Sequence, residues 1–295
     1  MSATDIEPAS ALTLADRLTL KPAGPGRWRS LHGDANQNGR SYGGQLLGQA
    51  LRAALMEAPE GRPPTMMQFL FLQGAMPDQP IAFDVQRLQD GKRFTSLHVR
   101  GAQGERTVLD AQVSCALPLP GPAHAEASPA PAGERPEDLP SLGDVPETLR
   151  ERIALMGGYG RDCNAAIHFR IPEARRQLDG ATAGGPFRYW MKVPQALGED
   201  AHLHAAAFAY LSDWWLNFCI LAPHLARAGE RGMYISSLNH ALWLHAPPRA
   251  DRWLHVRAGC AHAANGRGLA IAQYHDEDGR HIATATQDCL VTYTD

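Results

Sequence analysis

The sequence is short of the features that define several large protein classes. Its five cysteines, Cys115, Cys163, Cys219, Cys260 and Cys289, are scattered through 295 residues without a C-x-x-C pair. That odd, dispersed set argues against a disulfide framework or a zinc site and fits a reducing cytosol. Net charge is only −3 and charged residues make up 20%, so there is no electrostatic footprint for nucleic acid. The expected partner is a small molecule or another protein. The first residues, Met1 to Glu7, are acidic and carry neither a basic n-region nor an apolar h-region, so no signal peptide is expected. The most apolar run is interrupted by Ser212, Asp213 and Asn217, so no membrane span is expected either. The chain ends Tyr293-Thr294-Asp295, without the peroxisomal tripeptide. A cytoplasmic location follows as the expectation.

What is there centres on Ser212-Asp213-Trp214-Trp215-Leu216-Asn217-Phe218, directly after the apolar stretch Ala205 to Leu211. Ser and Asp side chains accept from the free N–H groups of a first helical turn. The sequence therefore predicts a buried helix that begins with an acid, either a structural cap or a functional carboxylate.

Taken in order, residues 1–40 are polar and turn-rich, with a short helix expected near Leu12–Leu18 and a strand at Trp28–Leu31. Residues Ser41 to Leu55 are small and apolar at helical spacing, with Gly44, Gly48, Ala50, Ala53 and Ala54 leaving one face with little bulk. They read as a buried central helix. After Pro63-Pro64, four β-compatible runs follow: Met66–Leu72, Ile81–Leu88, Arg93–Arg100 and Val108–Leu117. Asp90-Gly91 and Gln103-Gly104 supply the turns. Eight of the 22 prolines then fall in the 29 residues from Pro118 to Pro146, a composition that reads as a linker. Residues 147–162 suggest one short helix, and Ile167–Ile171 resumes strand alternation.

The second half repeats the first. Laying residues 91–112 on 266–287 without a gap matches Gly91 to Gly266, Gly104 to Gly279 and Gln112 to Gln287. Two units are implied, each a helix wrapped by an antiparallel sheet, joined as a pseudo-dimer. The first helix opens with Gly43-Gly44 where the second has Ser212-Asp213. Only one half brings an acid, so one active centre per chain is expected.

This arrangement resembles the acyl-CoA thioesterase II family, in which two hotdog folds are fused in one chain. In the first half the resemblance is carried by Tyr42-Gly43-Gly44-Gln45-Leu46-Leu47-Gly48-Gln49-Ala50-Leu51 and Leu88-Gln89-Asp90-Gly91-Lys92-Arg93-Phe94. In the second it is carried by Tyr210-Leu211-Ser212-Asp213, Leu238-Asn239-His240-Ala241-Leu242-Trp243-Leu244-His245 and Ala283-Thr284-Ala285-Thr286-Gln287. It implies an α+β fold of two tandem hotdogs, 1–117 and 165–295, with a linker and connecting segment over 118–164. In that family an Asp on the second hotdog helix, a hydroxyl just before the His-x-x-Trp strand motif and a Gln on a later strand hold the water that attacks the thioester. Here these positions are Asp213, Ser237 (with Ser236 adjacent) and Gln287.

The resemblance implies hydrolysis of acyl-CoA to free acid and CoA, with no metal or organic cofactor and no nucleic-acid or membrane partner. Gly43 and Gly44, at a free helix N-terminus, are candidate binders of the developing oxyanion. Trp214 either lines an acyl pocket or is simply core. Where relatives carry a His-containing strand followed by Arg-Pro-Gly, this chain has Met66-Met67-Gln68-Phe69-Leu70-Phe71-Leu72-Gln73-Gly74-Ala75, which bears on substrate preference. A homodimer or homotetramer stays open.

Four other readings compete. Gly39-Arg40-Ser41-Tyr42-Gly43 satisfies G-x-S-x-G, the nucleophile elbow of serine esterases, but a buried strand should precede Ser41 and none is legible. The pairs His202/His204 and His240/His245 could suggest a metal, yet lack the accompanying ligands of a known site. A hotdog hydratase would need a histidine beside the acid, and none is near Asp213 in sequence. A non-catalytic acyl-CoA binder would have no need of Asp213, Ser237 and Gln287 together.

Overall fold

The computed structural model describes residues 12–36, 38–125, 130, 133–148, 150, 167–178, 186–224 and 232–294. Alternating stretches become strands, which in the first half are β1 (Leu20–Gly24), β2 (Arg27–Ser30), β3 (Pro64–Phe71), β4 (Ala82–Asp90), β5 (Phe94–Gln103) and β6 (Arg106–Ala116). The second half supplies β7 (His168–Arg170), β8 (Phe187–Lys192), β9 (Met233–Leu244), β10 (Leu254–Ala264), β11 (Arg267–His275) and β12 (His281–Tyr293). Among the described residues they form one sheet, in the order β1-β2-β4-β5-β6-β3-β9-β12-β11-β10-β8-β7. The order of the second half mirrors the first, so a pseudo-twofold axis runs through the β3–β9 seam, where Phe69 lies opposite His240. The fold is the α+β double hotdog.

The helices are α1 (Leu14–Arg17), α2 (Gly43–Glu57), α3 (Ala174–Leu178), α4 (Ala201–Ser212) and α5 (Leu216–Leu221). α2 and α4 pack against each other in opposite directions at the centre. The small residues read from the sequence are what permits this. A Cβ at Gly48 would stand 2.8 Å from the Ala206 carbonyl oxygen, and one at Gly44 would meet the Tyr210 carbonyl. At the far end Arg52 and Asp200 form an ion pair at 2.8 Å.

One expectation about this centre is corrected. Asp213 does not start a helix. Asp200 is the N-cap, accepting from the His202 and Leu203 N–H groups, and Asp213 is the C-cap of α4. The apolar run before Ser212 is long enough to be the helix itself, so the acid falls at its end. A turn follows in which Trp215 takes a left-handed conformation, φ 67°, before α5 begins. Residues 201–224 also have the length and hydropathy of a membrane-crossing segment, although 89% of the relevant window is buried within the fold.

The repeat is real as topology but not as an ungapped alignment. Thr95 pairs with Cys115, whereas Ala270, its match at the same offset, pairs with Gln287. Gln112 therefore does not occupy the place of Gln287, which faces inward. Gln112 is exposed on the opposite side of the sheet from the buried Val113 and Ala111.

Of the proline-rich stretch, residues 117–125 are exposed, but 133–145 packs as a strap. Trp190 Nε1 donates to Glu134 at 2.9 Å and Trp253 Nε1 to Glu137 at 2.8 Å, while Leu142 and Val145 are 3% exposed. Averaged composition hides these two apolar anchors and two carboxylates. Most of the stretch 147–162, read as a short helix, lies outside the described residues.

Candidate active site

The acid is presented by the break between α4 and α5. Asp213 is 3% exposed, and its Oδ1 is buried without a hydrogen-bond partner. Burial raises its pKa from the ordinary 3.8 to about 6, against the opposing pull of Gln287, the Gly44 N–H and the Tyr42 side chain. The N-terminus of α2 thus faces the carboxylate, a favourable placement for negative charge. A methyl group on Gly43 would fall 2.7 Å from Oδ2, so only glycine fits there.

Gln287 comes from β12, where inward residues alternate as Ala283, Ala285, Gln287 and Cys289. Its Nε2 donates to Ser237 Oγ at 3.0 Å and to Asn217 Oδ1 at 2.8 Å. Ser237 needs a special device to reach it. On β9 the inward positions are His240, Leu242 and Leu244, so strict alternation would turn Ser237 outward. A register shift between Asp288 and Cys289 leaves Leu238 without a partner and sets Ser237 opposite Cys289, a bulge that re-aims the hydroxyl. Ser236, opposite Leu290, takes no part in the network. Asp213, Ser237 and Gln287 are therefore brought together, linked through the Gln287 amide.

Several residues join them that the sequence reading did not single out for the site. His240, read from sequence as a surface, core or metal-binding histidine, is 1% exposed and sits beside the acid. Its Nδ1 lies 2.7 Å from Gln287 Oε1 and its Nε2 3.0 Å from Ser212 Oγ. A histidine near Asp213 does exist, then, but burial pushes its pKa down to about 4, so it is neutral and engaged on both sides. Since Oε1 can only accept, Nδ1 carries the proton. Asn217 Oδ1 also accepts from Cys289 Sγ at 3.2 Å and from Ser237 Oγ at a long 3.5 Å. The Cys289 thiol is pushed up to about 12 by burial and remains an S–H donor. The available signals were local: His240 shares the inward phase of Leu242 and Leu244, and Asn217 is the sole amide in the apolar Leu216–Leu221.

Trp214 is 6% exposed, with its ring 5.3 Å from both Tyr42 and Phe169, and its carbonyl accepts from Tyr189 Oη at 2.8 Å. It stands between the acid and the aromatic core. Ser41 follows an irregular loop rather than a strand, and among the described residues no histidine bonds its hydroxyl. That geometry does not build a nucleophile elbow. His204 is a satisfied core residue, bonded to Gly198 O and the Ala250 N–H.

Comparison with known sequences decides the family. The chain matches the acyl-CoA thioesterase C-terminal domain over residues 136–291 and the acyl-CoA thioesterase N-terminal domain over 31–116. The chain belongs to the acyl-CoA thioesterase family. As a member it is a thioester hydrolase. It is 28% identical over 263 residues to acyl-CoA thioesterase 2 of Haemophilus influenzae, covering 86% of this chain and 88% of that one. To acyl-coenzyme A thioesterase 8 of Mus musculus it is 26% identical over 293 residues, covering 93% and 87%. Acyl-CoA thioesterase II TesB2 of Mycobacterium marinum superposes with a TM-score of 0.76 at 24% identity, covering 95% of this chain and 97% of the other. That solved thioesterase shares the fold over 95% of this chain.

Proposed function

We propose that this thioesterase hydrolyses acyl-CoA by direct attack of one water, with Asp213 as base and Ser237 and Gln287 holding the water. The carrying observation is the buried carboxylate with an uncommitted Oδ1, next to an oriented hydroxyl and amide. Asp213 takes a proton from the water as its oxygen bonds to the thioester carbonyl carbon, and negative charge develops on the carbonyl oxygen. When the carbonyl re-forms, the C–S bond breaks. The CoA sulfur leaves with the proton from Asp213, giving free acid and CoA thiol. A carboxylate with pKa about 6 is a stronger base than an ordinary one and is still ionised near neutrality. In the first turn of α2 the Gly43 N–H polarises the carbonyl, while the Gly44 N–H holds Asp213. Trp214 and Tyr42 form the wall along which the acyl chain enters.

The test is thiol release from short, medium, long and aromatic acyl-CoAs by wild type and Asp213→Asn. Removing the base should lower kcat by about 10²–10⁴-fold while leaving acyl-CoA affinity within a few-fold. In wild type, kcat should be lost as pH falls through about 6, where Asp213 takes up its proton. Unchanged turnover in the variant would end the assignment of the base. Binding without release by wild type across the whole panel would mean an acyl-CoA receptor instead.

A further inference from the structure

The proposed chemistry leaves one requirement under-supplied. The Gly44 N–H, one of the two glycine donors at the start of α2, is turned toward Asp213 and lowers its pKa. A hydrogen bond given to the base is not available to the carbonyl oxygen where charge develops. A further donor, held in place before the reaction, is needed.

Asn217 has the features of that donor. It is the only polar residue of α5, and the only one of its six residues that is not buried. Its Oδ1 is surrounded by three donors: Gln287 Nε2 at 2.8 Å, Cys289 Sγ at 3.2 Å and Ser237 Oγ at 3.5 Å. Gln287 itself has a fixed direction. Its Oε1 accepts from His240 Nδ1, and its amino group faces the carboxylate, since an ionised Asp213 repels an oxygen there. Turning the Asn217 amide over would set its NH₂ group against three donors, so Oδ1 stays where it is. The Nδ2 group must then point away from Gln287, and it bonds to no described residue. A pre-oriented neutral amide N–H₂ at the partly exposed margin of a buried site is suited to a carbonyl oxygen gaining charge. It adds no charge of its own to perturb the neighbouring base.

We propose that Asn217 is a fourth catalytic residue, whose Nδ2 donates a hydrogen bond to the thioester carbonyl oxygen as water adds. This rests on the hydrolytic reading of Asp213, Ser237 and Gln287. It assigns the amide's two ends separate duties: Oδ1 anchors Gln287, and Nδ2 meets the substrate.

Two variants separate those duties. Asn217→Asp keeps an oxygen to accept from Gln287 but removes the amino group, while Asn217→Leu removes both and suits the apolar helix. Full pH–rate profiles on the best acyl-CoA of the panel give plateau kcat values, which discount any upward shift of the Asp213 pKa caused by the added carboxylate. Both variants should lose about 10²-fold or more in plateau kcat, with KM within about threefold of wild type and the thermal midpoint of Asn217→Leu retained. A wild-type plateau in Asn217→Asp would overturn the proposal, because the oxygen alone would then suffice. Retention of kcat in Asn217→Leu would overturn it equally, as would a loss of kcat in both variants that tracks a loss of folded protein. Wild type and Asp213→Asn measured alongside keep the two levels distinct. If wild type releases no thiol, the hydrolytic reading fails. If wild type releases thiol and Asp213→Asn does not, while the Asn217 variants keep their rate, only this inference fails.

Discussion

Asp213 is costly to the fold that holds it. Its folded pKa of about 6 lies above the ordinary 3.8, so the native state binds this proton more tightly than the unfolded chain. The stability linked to this group is complete below pH 3.8 and is lost as pH rises through about 6. At pH 8 the ionised carboxylate therefore weighs against folding by about 3 kcal/mol, and Asp213→Asn should raise the thermal midpoint there while losing turnover. At pH 4 the same substitution should leave the midpoint nearly unchanged. Equal midpoints at pH 8 would mean that the carboxylate is better solvated than its burial implies. Asp213, Ser237 and Gln287 were legible because each sits in a recognisable run of neighbours. Asn217 was not, since its partners Gln287 and Cys289 lie some seventy positions further along the chain.

Elements were legible where the pattern is periodic and illegible where packing overrides it. The strands of the first half and α2 follow from alternation and small-residue spacing. The break after Ser212 does not, because no local rule puts a tryptophan in the left-handed region. Trp215 is held there by Phe187, Phe169 and Phe218, whose rings lie 5.4–5.9 Å from its own. The α2–α4 contact gives a sharper test. Gly48→Ala would bring a methyl against the Ala206 carbonyl at 2.8 Å and the Leu18 side chain at 2.6 Å, and should cost about 1–3 kcal/mol in urea unfolding. Gly143→Ala, which meets only Ser141 Oγ at 3.4 Å, should leave the midpoint where it was. Equal midpoints for the two would show that α2 and α4 can separate freely.

At the scale of the molecule, the halves are joined by more than the chain between them. β3 pairs with β9 over five residue pairs, α2 lies along α4, and the strap of residues 133–145 is fastened to the second half by Trp190 and Trp253. A single proteolytic cut within the exposed residues 118–125 should therefore leave both fragments co-eluting in gel filtration, with thioesterase activity retained. Separation of the fragments would show that the covalent connection, not the seam, keeps them together. The duplication itself was legible in the turn glycines. Its register was not, because Gln112, matched to the inward Gln287, lies on the exposed side of β6. Tying the halves into one polypeptide has a genetic consequence. In a dimer of identical subunits every mutation appears twice, so a side chain at the centre cannot change on one side alone. Within a single gene the two copies drift separately. The second half alone brings Asp213 and Gln287 to the centre, and either half can change there without a matching change in the other.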